Sequence, residues 1–181
     1  MSKLSIVVPC YNEEEAIPLF YPAVEKVVKQ MPVETEYWFV NDGSSDGTLA
    51  ELRKLHAQDP KRVHYVSFSR NFGKEAGLYA GLQAATGDYI VVMDADLQDP
   101  PEYLPEMYKA ISTGEYDCVG MRRTDRKGEA KFKSFLSNQF YNVINKISDT
   151  KIVSGARDYR MMTRQMVDAV LSLTEYNPFS K

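Results

Sequence analysis

The sequence predicts an α/β domain built on a mostly parallel sheet, and three observations carry that expectation. Short apolar runs rich in Val, Ile, Tyr and Phe alternate with longer segments of helical period. One run, Ile90-Val91-Val92-Met93, is apolar at consecutive positions, as a strand covered on both faces must be. Strand-helix alternation of this kind implies parallel strands joined by right-handed crossovers.

In chain order, residues 4–9, 37–40, 63–68, 89–93 and 116–120 are the strand-like runs. The segments 16–30, 48–58, 74–86, 101–112, 128–147 and 163–173 have helical character. Pro101 stands where a first helical turn tolerates proline, and Gly87 and Gly114 follow expected helix ends. Segment 128–147 places Phe132, Phe135, Leu136, Phe140, Val143, Ile144 and Ile147 at a 3.6-residue period. Packing of that face on the domain core is favoured over an interfacial helix with Lys131, Lys133 and Lys146 at lipid headgroups.

The chain has 181 residues, enough for one domain with a substantial core. A hydrophobic content of 44% with 26% charged residues is that of a globular protein. A net charge of −3 argues against binding nucleic acid through overall basicity. Cys10 and Cys118 do not make a disulfide framework and no Asn-x-Ser/Thr sequon occurs, which suits a reducing interior. Both cysteines lie in or beside apolar runs and are expected to be small buried hydrophobes. No run approaches the ~18 apolar residues of a membrane span. One stretch departs from the acidic average: residues 121–133 carry six basic side chains against two acidic ones. A solvated loop is the ordinary reading of such a run.

Ligands of parallel sheets bind at the carboxyl ends of the strands, so the loops after the strands are where chemistry is expected. The strongest signal there is Asp94-Ala95-Asp96-Leu97-Gln98-Asp99-Pro100-Pro101. Alternate residues at a strand end point to the same side, so Asp94 and Asp96 can converge on one cation. Their oxygens suit Mg²⁺ or Mn²⁺, which typically uses one or two carboxylates plus substrate phosphates. Acidic residues favoured by a nearby helix N-terminus are the plainer alternative.

The stretch Asn41-Asp42-Gly43-Ser44-Ser45-Asp46-Gly47-Thr48 looks like the start of a calcium loop. Counting from Asp42, however, the twelfth position is Arg53 and not a bidentate Glu, and calcium is rejected. A strand-to-helix turn capped by Asp46 or Thr48 fits better, leaving Asp42 at the strand tip free for a ligand. Arg70-Asn71-Phe72-Gly73-Lys74 lacks the glycine spacing of a phosphate-binding P-loop. Gly77 and Gly81 are expected to let a helix approach the sheet. His56 and His64 lie away from the strand ends and are expected to pack or face solvent. Asp158, between Arg157 and Arg160, forms either a surface ion-pair cluster or a group that orients or deprotonates an acceptor.

Together these motifs, with Val7-Val8-Pro9-Cys10-Tyr11-Asn12-Glu13, resemble the family 2 glycosyltransferases of GT-A fold. The resemblance is to their polyprenyl-phosphate sugar transferases and runs from Leu4 to Phe179. It implies that Pro9, Tyr11, Glu13, Asp42 and Asp94 surround a nucleotide sugar. It also implies that Asp94, Asp96 and Gln98 hold Mg²⁺ or Mn²⁺ and that Asp158 lies near the acceptor. Arg122, Arg126 and Lys133 become phosphate or acceptor contacts. Asn41 departs from the pattern, where many relatives carry a second Asp, and is given no role. The implied reaction is metal-dependent, inverting transfer of a hexose from a UDP-glucose-like or GDP-mannose-like donor. The acceptor is a polyprenyl phosphate at the cytoplasmic membrane face, or alternatively a glycan hydroxyl. Relatives of this kind continue into amphipathic and membrane-spanning helices, so the chain is expected to be the soluble catalytic part of a longer membrane-associated protein. Self-association is neither required nor excluded by the residues.

Overall fold

A computed structural model describes residues 1–122 and 156–173. The chain divides into one unit of Met1–Val119 with Asp158–Lys181 and a second of Gly120–Arg157. The first unit carries the sheet core and the cleft described below. The predicted helix 128–147, with Arg126 and Lys133, lies outside the described residues.

The elements are β1 (Lys3–Cys10), α1 (Ile17–Val28), β2 (Glu34–Asn41), α2 (Thr48–Gln58), β3 (Val63–Ser67), α3 (Lys74–Ala84) and β4 (Tyr89–Val92). A 3₁₀ turn (Pro101–Tyr103) leads into α4 (Leu104–Ile111), then β5 (Cys118–Arg122), β6 (Ala156–Thr163) and α5 (Arg164–Leu171). Within the described residues every predicted strand and helix is present. The sheet order is β3-β2-β1-β4-β6-β5. Strands β3, β2, β1 and β4 are parallel, while β6 runs antiparallel to β4. The expected α/β fold with a mostly parallel sheet flanked by helices is therefore observed.

Strand β6 is the element that sequence periodicity did not isolate. Its inner positions Tyr159, Met161 and Met162 are buried, but charged residues at 157, 158 and 160 interrupt the apolar signal.

The periodicity explains the layers. Val7, Leu78, Leu82, Ile90, Val92, Met162 and Val167 form one core cluster, where α3 and α5 cover β1, β4 and β6. On the opposite face Phe20 of α1 meets Phe39 of β2 edge-on, with ring centroids 6.1 Å apart. Covering both faces requires the consecutive apolar residues seen in β1 and β4. Gly77 and Gly81 bring α3 onto the sheet as expected: a methyl group at 77 would touch Val40, and one at 81 would collide with Val7.

His64 stacks on Trp38, and His56 Nδ1 lies 2.6 Å from the Val63 carbonyl, so both histidines are packing residues. Cys10 is buried, but Cys118 is exposed, contrary to expectation. At position 118 the strand is short and near the sheet edge, and an apolar run there need not be covered on both sides. Among the described residues no helix is long and apolar enough to cross a membrane.

Candidate active site

The sheet order sets the location. From β1 the chain moves outward through β2 and β3, then returns to add β4 on the other side of β1. A crevice opens where connections diverge in this way, outside the carboxyl ends of the strands. A cleft of about 290 Å³ lies there, lined by Pro9 and Cys10 at the end of β1, by Tyr11 and Glu13 just beyond it, by Asp42 after β2, and by Asp94 to Asp96 after β4. Asn71 and Lys74, from the approach to α3, complete its wall.

The loop after β2 is built to hold Asp42. Asn41, given no ligand role, donates from Nδ2 to Ser67 Oγ and accepts the Ser44 N–H at Oδ1, closing the turn. Gly43 follows with φ +62°, and its missing side chain lets the Arg70–Asn71 backbone pass against it. This brings the Asp42 carboxylate under the start of α3, where its oxygens accept the N–H groups of Phe72 at 2.7 Å and Gly73 at 2.9 Å. Those two donors precede the helix and would otherwise go unpaired, and the positive end of α3 favours the anion. Asp42 is thus a buried, fixed carboxylate rather than the free group expected, because the 69–74 loop folds back over the strand tip.

The neighbouring turn is tied by side chains as well. Asp46 accepts the Thr48 N–H and hydroxyl and so fixes the turn, but the residue at the N-cap of α2 is Gly47, with no side chain capping the helix, so neither Asp46 nor Thr48 is the helix cap expected. Thr48 Oγ1 accepts the Glu13 N–H at 2.7 Å, locking the loop after β1 to the turn after β2. Tyr11 projects from that loop with half of its surface exposed, an aromatic face at the rim of the cleft.

After β4, Asp96 Oδ1 accepts the N–H of Gln98 at 3.0 Å, and Leu97 between them has φ +57°. A left-handed leucine is uncommon and held here by the turn. Asp94 and Asp96 both face the cleft, but Ala95 between them lines it too, because all three lie in the turn beyond the end of β4 rather than on the alternating strand. The Glu13 carboxyl is raised from its ordinary value, first by partial burial and then by the charges of Asp96 and Asp94. The cleft is an anionic crowd.

Its balancing charge is Lys74, which sequence reading passed over when the P-loop was rejected. Lys74 Nζ lies 2.7 Å and 2.9 Å from the two oxygens of Asp94 and 3.1 Å from Asp158. Burial alone would lower the Lys74 ammonium, but Asp94 and Asp158 outweigh it and hold its pKa above the usual value. Asp158 also has Arg160 at 3.5 Å. The strand β6 therefore delivers Asp158 to Asp94 through a lysine. Of the other predicted residues, Arg122 ends β5, and Arg126 and Lys133 are not among the described residues.

No three carboxyl, thiol or imidazole groups among the described residues are grouped to hold a metal ion. The donor set is two carboxylates, hard oxygen ligands that suit Mg²⁺ or Mn²⁺ when substrate phosphates complete the shell. The residues fit a cation of that kind.

This layout defines the class as an α/β domain of GT-A type, with a cleft at the carboxyl ends of its strands. The model of glycosyl transferase family 2 matches residues 5–171, and the chain belongs to that family. It is 43% identical to a bactoprenol glucosyl transferase of Shigella phage SfX over 179 residues, covering 99% of this chain and 58% of that protein. A prophage bactoprenol glucosyl transferase homolog of Escherichia coli K12 is also 43% identical, with the same coverage. The chain thus spans little more than half the length of these relatives. Among solved structures, the mannosyltransferase PcManGT from Pyrobaculum calidifontis, in complex with GDP-Man and Mn²⁺, superposes with a TM-score of 0.66 at 21% identity. That match covers 98% of this chain and 50% of the other. At that identity the likeness is one of fold.

Proposed function

We propose that this chain is the donor-binding catalytic part of a transferase that moves a hexose from a nucleoside diphosphate sugar to a polyprenyl phosphate at the cytoplasmic membrane face. The observation that carries the reading is the cleft at the switch point, with Asp94 and Asp96 on one wall and Asp42 on the other. The names of the 43%-identical relatives support bactoprenol phosphate as the acceptor class and glucose as the sugar.

In this reading Pro9, Tyr11, Glu13 and Asp42 line the nucleoside end. Tyr11 offers a ring to stack against, and Asp42, already fixed by two backbone donors, presents its remaining lone pairs to base or ribose hydroxyls. Asp94, Asp96 and Gln98 are the residues that would hold Mg²⁺ or Mn²⁺, whose chemistry when bound is to neutralise charge on a departing diphosphate. The bond from the anomeric carbon to the diphosphate oxygen breaks, the diphosphate keeps the electron pair, and an acceptor oxygen attacks the opposite face with inversion. A phosphate monoester has a second pKa of ~6 and reaches the site already ionised, so no residue has to remove a proton. Asp158 then positions the acceptor rather than acting as a base. Arg122, Arg126 and Lys133 are assigned to the acceptor phosphate on charge and position in the sequence.

Calorimetric titration with UDP, GDP and CDP, with and without Mn²⁺, tests the donor site. Metal-dependent binding of one diphosphate, abolished in Asp96→Ala, is the expected outcome. Failure of the folded protein to bind any of the three would overturn the reading for this chain. Transfer of labelled hexose to a polyprenyl phosphate, measured on the longer protein, tests the acceptor.

A further inference from the structure

Within the cleft that the proposed function assigns to the donor, one side chain has a place but no task. Among the described residues Lys74 is the single lysine or arginine lining it, against Glu13, Asp42, Asp94 and Asp96. Its position is unfavourable for a cation: it is the first residue of α3, where the helix dipole disfavours positive charge. The register of the sheet shows what holds it there. β4 and β6 pair Val92 with Arg160, and extending that antiparallel register by two positions sets Asp94 opposite Asp158. Like charges facing each other across strands repel. Lys74 Nζ removes that repulsion by binding both oxygens of Asp94 and one of Asp158.

A divalent cation ligated by Asp94 needs an oxygen that Lys74 now holds, and an ammonium at 2.7 Å from that carboxylate would repel the incoming charge. The lysine stem is long and flexible, Asp158 offers it a second anchor, and the phosphates of a nucleoside diphosphate offer a third. We propose that Lys74 is the built-in counter-cation of the donor cleft: it occupies Asp94 before ligands bind and yields that carboxylate to a divalent cation arriving with a nucleoside diphosphate. The inference rests on the donor-site reading above. Its consequence is ordered occupancy, because Mn²⁺ alone has to displace Lys74 without compensation, whereas Mn²⁺ with a diphosphate gives the lysine a new anionic partner.

The test is Mn²⁺ binding to the 181-residue chain, followed by loss of the free-ion electron paramagnetic resonance signal. Wild type, Lys74→Gln, Lys74→Met and Lys74→Arg are compared, each checked for folding by circular dichroism. The two neutral variants are expected to bind Mn²⁺ alone about tenfold more tightly than wild type, with Lys74→Arg close to wild type. Adding UDP or GDP is expected to strengthen Mn²⁺ binding by a larger factor in wild type than in the neutral variants, the reciprocal coupling that displacement requires. Neutral variants that bind Mn²⁺ no more tightly than wild type, in a protein that still binds UDP or GDP with Mn²⁺, would overturn the role of Lys74 alone. Absence of any binding of UDP, GDP or CDP with Mn²⁺ would overturn the donor site first and this inference with it.

Discussion

Lys74 and Asp158 lie 84 positions apart in the chain and are joined by an ion pair of 3.1 Å. The oxygen Asp158 gives to Lys74 is engaged by an ammonium, and its other oxygen has Arg160 at 3.5 Å. A carboxylate so occupied is suited to hold an acceptor in place and poorly arranged to take its proton. Asp158→Asn is therefore expected to reduce transfer to a polyprenyl phosphate by less than about tenfold. A hydroxyl acceptor would lose the ~10²–10⁴-fold that a general base supplies. Steady-state kinetics on both acceptor types decides between the two. A loss of several orders of magnitude with the phosphate acceptor would make Asp158 the base.

Asp42 makes its structural contribution through the two N–H groups it receives. Asp42→Asn turns an amide toward one of them and weakens both bonds, at an expected cost of about 1–3 kcal/mol in stability. Amide hydrogen exchange at Phe72 and Gly73 is expected to accelerate, and nucleotide binding to weaken in parallel. If binding weakened with exchange and melting temperature unchanged, Asp42 would act on the donor directly rather than through the 69–74 loop.

Legibility differed between the two halves of the site. Asp94 and Asp96 follow a strand that is apolar on both faces, and this local context was enough to aim both at one cleft. Glu13 and Asp42 likewise sit where strand ends were expected. Lys74 gave no comparable signal, since its partners are 20 and 84 residues away and only the sheet order brings them together. The same holds for Asp42: that its oxygens are taken by Phe72 and Gly73 depends on how the 69–74 loop folds back, which no spacing encodes. Strand β6 was missed because the charges of Arg157, Asp158 and Arg160 mask its alternation in the sequence, and Asp158 is held by Lys74 of the cleft wall rather than packed in the core. The exposure of Cys118 was misjudged because an apolar neighbourhood in the chain does not reveal which strands stand near the sheet edge.

Gly81 reports on how tightly α3 is seated. A methyl group there would collide with Val7 Cγ1 and come within 3.2 Å of Val40 Cγ2. Both neighbours are fully buried, so little room exists for them to give. Gly81→Ala is expected to destabilise by about 1–3 kcal/mol despite the better helix propensity of alanine. Combining it with Val7→Ala, which removes the struck methyl group, is expected to cost less than the sum of the two single changes. Additive costs in denaturant melts would show that the helix shifts bodily instead.

At the opposite end of the sheet from the cleft, Glu36 provides a pH signature of folding. It is buried, bonded to the Ser5 hydroxyl at 2.6 Å and the Thr86 N–H at 2.7 Å, and paired with Lys3. Burial alone would raise its carboxyl, but the bonds from Lys3, Ser5 and Thr86 prevail and bring it down from 4.5 to about 2. Because the folded-state pKa lies below the unfolded one, the unfolded chain binds the proton more readily, and acid drives unfolding. The contribution of Glu36 is fully present above about pH 4.5 and fades as the pH falls toward 2. Its size is roughly 2–3 kcal/mol, at 1.36 kcal/mol for each pKa unit less an allowance for the partly exposed Lys3. Urea melts of wild type and Glu36→Gln from pH 7 to 2.5 are expected to show a constant stability gap down to about pH 4.5 that narrows below it. A gap independent of pH over that range would mean that Glu36 contributes through packing and neutral hydrogen bonds, with its charge irrelevant.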